Sequence, residues 1–98
     1  MSKIRISLSE YSPLLSSKEK GDEIYRKIQD ADPVNNLVEL DLTDLVSMAT
    51  YCAKQIFGKL YIELGAELFF AHIKILNASE NLKLIIRIGI NSAIDDQY

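Results

Sequence analysis

Three short stretches of the chain alternate apolar with polar side chains, and between them the apolar residues change to helical spacing. This repeated switch of period constrains the fold more than any other feature. Ile4, Ile6 and Leu8 alternate with Lys3, Arg5 and Ser7, the pattern of a strand with one face in a core and the other in water. Val38, Leu40 and Leu42 alternate with Glu39 and Asp41, and Ala71, Ile73 and Ile75 with His72 and Lys74. Between the first two, Gly21, Ile24, Ile28 and Ala31 fall on one side of a helix that Ser16 or Ser17 can cap and that Asp32, Pro33, Asn35 and Asn36 stop. Ala53, Ile56, Phe57, Leu60 and Leu64 share one face of a long helix with Cys52 at its edge, and Gly65 either ends that helix or lies within it. Ser79 caps a last helix with a core face of Leu82, Ile85, Ile86, Gly89 and Ala93.

Strand, helix, strand, helix, strand, helix is the order of a layered α/β fold with crossover helices and a small, mostly parallel sheet. Strands of a doubly wound sheet are apolar on both faces, whereas these three are apolar on one. The expectation is therefore a two-layer sandwich with its helices on one sheet face, and a doubly wound sheet is the alternative. The chain of 98 residues reads as one domain, residues 1–98, with a first strand and loop over 1–16 and a frayed tail over 95–98.

Several function classes lose support at this stage. Lysine and arginine are scattered and the net charge is −3, so no basic patch for nucleic acid is expected. Cys52 is the only cysteine, which rules out an internal disulfide and implies a reducing, cytoplasmic setting. It reads as a small core hydrophobe. The apolar region from Phe57 to Leu76 is interrupted by Lys59, Glu63, Glu67, His72 and Lys74, too polar to span a bilayer. His72 reads as an exposed strand residue with no partner for acid–base work. Asp41 and Asp44 alone offer too few oxygens for a magnesium ion. No catalytic residue, metal or cofactor is expected.

The junction from the second strand to the long helix carries the one family likeness. Asp41-Leu42-Thr43-Asp44-Leu45, then Met48, then Thr50-Tyr51-Cys52-Ala53-Lys54-Gln55-Ile56-Phe57-Gly58 resembles the STAS-like domains of unknown function found in bacteria. The likeness extends through "HIKILNASENLKLIIR" and covers roughly residues 21–87. Asp44 stands where that family usually has Gly, and Ala53-Lys54 where it often has an acidic pair. The resemblance implies a STAS-like fold, a role in bacterial signalling or regulation, and a protein partner such as a histidine-kinase-like ATPase. More distant relatives, the anti-sigma factor antagonists, are phosphorylated on a serine at the corresponding turn. Here Ser47, Thr50 and Tyr51 are the nearest hydroxyl carriers, and the Asp-Ser-Ser-Gly sequence is absent.

Two readings of the junction, residues 41–54, follow. In the simpler one, Thr50 caps the helix while Asp41 and Asp44 satisfy turn amides. In the other, Asp41, Asp44, Ser47 and Thr50 form a small-ligand or anion site, or a phosphoswitch, at a helix N-terminus. A separate feature is apolar excess opposite the core faces: Leu84 and Ile88 on the last helix, Tyr51 and Ile62 on the long one. Adjacent helices would bring these four together as a patch. The expected function is a non-enzymatic regulatory module that docks another protein through that patch, with a homodimer as the other assembly the patch would serve.

Overall fold

The computed structural model describes residues 1–97. Its strands are β1 (Lys3–Ser7), β2 (Leu14–Leu15), β3 (Leu37–Asp41), β4 (Ser47–Met48) and β5 (Ile73–Leu76). Its helices are α1 (Lys18–Asp30), α2 (Thr50–Ala53), α3 (Lys59–Leu64), α4 (Ala66–His72) and α5 (Glu80–Asp95). A π turn over Lys54–Gly58 joins α2 to α3, so residues 50–64 form one rod. β1, β3 and β5 make a parallel sheet in that spatial order, with Ile4 opposite Val38 and Leu40 opposite Ile75.

The fold is a two-layer α/β sandwich. Ile4, Ile6, Val38, Leu40, Ile73 and Ile75 point to the covered face and are buried or half-buried, while Lys3, Arg5, Ser7 and Lys74 on the other face are exposed. The helical layer supplies the rest of the core: Ile24 and Ile28 from α1, Ile56, Phe57 and Leu60 from the rod, and Leu82 and Ile86 from α5. No polar or charged residue among the described residues is buried, so core stability here rests on apolar burial and close contact.

Helix starts follow local chemistry in two places. Ser17 Oγ accepts from Lys20 N–H (3.2 Å) and Ser79 Oγ from Leu82 N–H (3.1 Å), each satisfying an otherwise unpaired first-turn amide. The rod starts differently. Its N-cap is Ala49, with no side-chain capping bond, and Thr50 is the first helical residue, which corrects the expectation of a Thr50 cap. The reason is the short parallel pair β2–β4: Ala49 N–H donates to Leu15 O (2.8 Å), holding Ala49 extended at the cap position.

Glycine sets the helix-to-helix distances. A Cβ on Gly89 would lie 2.6 Å from the Ala53 carbonyl carbon, and one on Gly58 would lie 2.8 Å from both Gly89 O and Ala93 Cβ. The rod and α5 thus touch backbone to backbone along Ala53, Gly58, Gly89 and Ala93. Gly65 has φ +84° and ends α3, a conformation glycine adopts without steric cost. The chain turns there into α4, which occupies residues 66–72. The expected third strand accordingly loses Ala71 and His72 and begins at Ile73. At the other end, Asp95 closes α5, Asp96 pairs with Lys54, and Tyr98 of the expected frayed tail lies outside the described residues.

Candidate functional site

The carboxyl end of the sheet gathers polar residues from all three strands around Asp41. Its Oδ1 accepts from Thr43 N–H (3.0 Å), Thr43 Oγ1–H (2.6 Å) and Asn77 Nδ2–H (2.9 Å), and its Oδ2 from Arg5 (2.9 Å). Asn77 follows β5 in a left-handed conformation, φ +60°, a state asparagine tolerates better than most residues. The hydrogen bonds from Asn77, Thr43 and Arg5 hold the Asp41 carboxyl well below the usual carboxylate range. With four donors on its two oxygens, Asp41 ties the three strand ends together. Arg5 and Asn77 lie 36 residues to either side of it in sequence, which is why neither was legible as its partner.

The other junction residues do not join this cluster. Asp44 is exposed with φ +73°; its role is to turn the chain through the left-handed region, whereas the expectation was a side chain bonded to turn amides. Leu45 N–H donates to Leu42 O (3.1 Å), and Val46 N–H to Pro13 O (2.8 Å), which carries the chain away into β4. Ser47 is half-buried in β4 and Thr50 is exposed. No hydrogen bond links Ser47 or Thr50 to Asp41 among the described residues. The junction therefore splits into a sheet-end lock at Asp41 and a separate helix start. That start is held by the Tyr51 hydroxyl, which donates to Ser16 O, and by Cys52, whose buried Sγ lies 3.6 Å from Ser17 O. Burial pushes the Cys52 thiol up.

Tyr51, Ile62, Leu84 and Ile88 are all exposed, at 47%, 38%, 52% and 44%. Tyr51 and Ile62 line one groove with Lys18, Lys54, Lys59 and Ala93. Leu84 and Ile88 do not line that groove. On α5 that groove touches Ala93, and Leu84 lies nine residues earlier, about 14 Å along the helix. The four residues thus form two pairs, one in a groove and one on the outer face of α5.

Beside the first groove, the Tyr25 hydroxyl donates to Glu63 and accepts from Gln29 Nε2 (2.6 Å), under the Lys59 ammonium at 4.3 Å from the ring. Burial, and then the Glu63 carboxylate, push the Tyr25 hydroxyl up to about 12, so it stays protonated and bridges α1 to the rod. His72 is half-buried at the end of α4, where its Nδ1–H donates to Pro33 O (2.7 Å). This corrects the expected exposed strand position and makes it a tether for the turn after α1. No three of the His, Cys, Asp and Glu side chains among the described residues converge on one point.

A second groove had no signal in the alternation pattern. Tyr61, Phe69 and Phe70 meet edge to face, with ring centroids 5.4 to 6.0 Å apart, and wall a groove of about 520 Å³ between α5 and the β5 edge. The adjacent pair Phe69-Phe70 was the available signal, since neighbouring helical residues point about 100° apart and a seven-residue helix has a narrow buried face. Phe70 is that residue, 61% exposed.

In comparisons with family models, curated proteins and solved structures, nothing matches the chain. The STAS-like resemblance accordingly rests on the residue pattern between 21 and 87. No described helix is long and apolar enough to cross a membrane.

Proposed function

We propose that the protein is a non-enzymatic interaction module that docks another protein through the outer surface of its helical layer. The observation that carries this reading is the contrast between its two outer faces. The open sheet face mixes Lys3, Arg5, Glu39, Asp41 and Lys74 with the half-buried Leu37 and Leu76, whereas the outer side of α5 presents Leu84 and Ile88 directly to solvent. Neighbouring exposed aliphatics on one helix face suit helix-in-groove or helix-on-helix docking. A STAS-like role in bacterial, cytoplasmic signalling beside a histidine-kinase-like ATPase is the form of this reading that the sequence pattern supports. The left-handed Asp44, at the position where that family usually has glycine, adds to the support.

The alternative reading, a ligand site or phosphoswitch at residues 41–54, keeps one support: the Thr50 hydroxyl is exposed at the first helical position of the rod. Asp41 is unsuited to it because its oxygens already hold Asn77, Thr43 and Arg5.

The test is a doubly substituted chain, Leu84→Lys with Ile88→Glu. Its circular dichroism and melting curve should match the wild type, while light scattering and cross-linking should show loss of the partner complex, or of the dimer, that the wild type forms. Unfolding of the variant, or an unchanged complex, would overturn the assignment of this face.

A further inference from the structure

The geometry points to the groove between α5 and β5 as the binding site of an extended acidic peptide that adds a strand to the free edge of β5. The inference is independent of the outer α5 face, since Leu84 and Ile88 line no part of this groove.

The groove follows the strand's edge. Successive side chains of a strand point to opposite sheet faces, so a cavity on one face would meet alternate residues. This one meets Ile73, Lys74 and Ile75 in succession, which places it along the edge itself. Among the described residues, β5 pairs with β3 and with no other strand. Leu42 N–H donates to Leu76 O (2.9 Å), so the Leu76 backbone faces β3. By the alternation of a parallel ladder, the N–H and C=O of Ile75 face the other way, toward the groove. Such an unpaired edge is a template for another strand.

The lining suits alternating side chains. Phe69, Ile73 and Ile86 form an apolar floor, buried to 4% exposure or less. Lys74, on the open-face side of the strand edge, and Lys83 and Arg87, on α5, flank it, and no carboxylate among the described residues lines the groove. On a chain of net charge −3 this is a local concentration of positive charge. Lys83 reaches Glu80 only at 3.4 Å, in an exposed pair, and Arg87 enters no ion pair among the described residues. A strand with apolar residues toward the floor and carboxylates toward the rim would meet both sets at once. A second copy would not: a two-fold contact through this face sets the same three cations opposite themselves.

The test is a titration of the isotope-labelled protein, followed by its amide resonances, with the heptapeptide Val-Glu-Val-Glu-Val-Glu-Val. Saturable shifts are expected at Ile75, Phe70 and Arg87. Replacing each Glu of the peptide with Lys, or N-methylating the amides on one edge of it, should each weaken binding by about tenfold or more, since each removes a charge or ladder contact. Lys74→Glu with Arg87→Glu should do the same with melting behaviour unchanged, whereas Leu84→Lys with Ile88→Glu should leave the peptide's affinity intact. Absence of saturable binding, or equal binding of the lysine or N-methylated peptide, would overturn the proposal. So would occupancy by dodecanoate without the peptide, which would make the groove a site for a small anionic amphiphile.

Discussion

Along one side of α5, Gly89 and Ala93 bring the helix against Ala53 and Gly58 of the rod, so close that a single added methyl would collide with backbone. Toward the flank of the same buried face, Ile86 and Ile90 line a groove together with Phe69 and Ile73. The same helix is thus sealed where its residues are small and left open where they are large. Aliphatic and aromatic side chains fill space only when their partners interlock. Here an aromatic cluster lines the groove between the β5 edge and α5. What separates the two is residue size at the contact, and the open one also carries Lys74, Lys83 and Arg87 at its margin.

The largest effect should come from removing a buried ring on the open side. Phe69→Ala deletes a ring that is 2% exposed and should destabilise the protein by about 3–5 kcal/mol, the range for large buried aromatics. Urea unfolding would measure it, and a loss below about 1 kcal/mol would mean that the groove collapses to fill the space. A smaller effect is expected from overfilling the sealed side. Gly89→Ala introduces a Cβ 2.7 Å from Ala53 Cβ and Lys54 N. Overpacking of this kind costs about 1–3 kcal/mol, and the helical preference of alanine over glycine offsets about 1 kcal/mol of it. A stabilised variant would show that the rod and α5 can slide apart, which would erase the contrast between the two sides.

The smallest effect separates charge from packing. Asp41 is the ionised tie at the sheet end, and its native value is depressed by Asn77, Thr43 and Arg5. Its contribution is therefore fully present above the unfolded carboxylate value of about 4 and is lost as pH falls below that toward the native value. Asp41→Asn should flatten the fall of the melting temperature between about pH 4 and pH 2. A residual slope should remain from Glu10, whose carboxyl is also held low, by Lys27. An unchanged acid limb would place the pH-sensitive groups elsewhere. Neither side of α5 should respond to this change.

Much of the architecture was legible from periodicity. The faces of α1 and α5 and the alternation of β1 and β3 are local patterns, and Ser17 and Ser79 announce their helices through short-range capping. The misreadings share a cause. β2 and β4 are two residues each, too short to show a period, yet their pairing moved the rod's cap from Thr50 to Ala49. Ala71 and His72, the end of α4, alternate by chance with the residues of β5 and so carry a strand's pattern into a helix. The Asp41 tie and the aromatic groove depend on residues far apart in sequence, which no window of local pattern can join. The pair of Tyr51 with Ile62 and the pair of Leu84 with Ile88 were each exposed as the wheel implied, but helix length kept them apart.

The π turn at Lys54–Gly58 has a consequence for descent. A π turn holds one residue more than the α-helical turn it replaces, so a chain one residue shorter there would close an ordinary α-helical turn without displacing the helix on either side. A relative lacking one residue between 54 and 58 should keep Cys52 and Leu60 in the same core positions, and an alignment gap placed at any other point of the rod would misassign every residue between the gap and the turn.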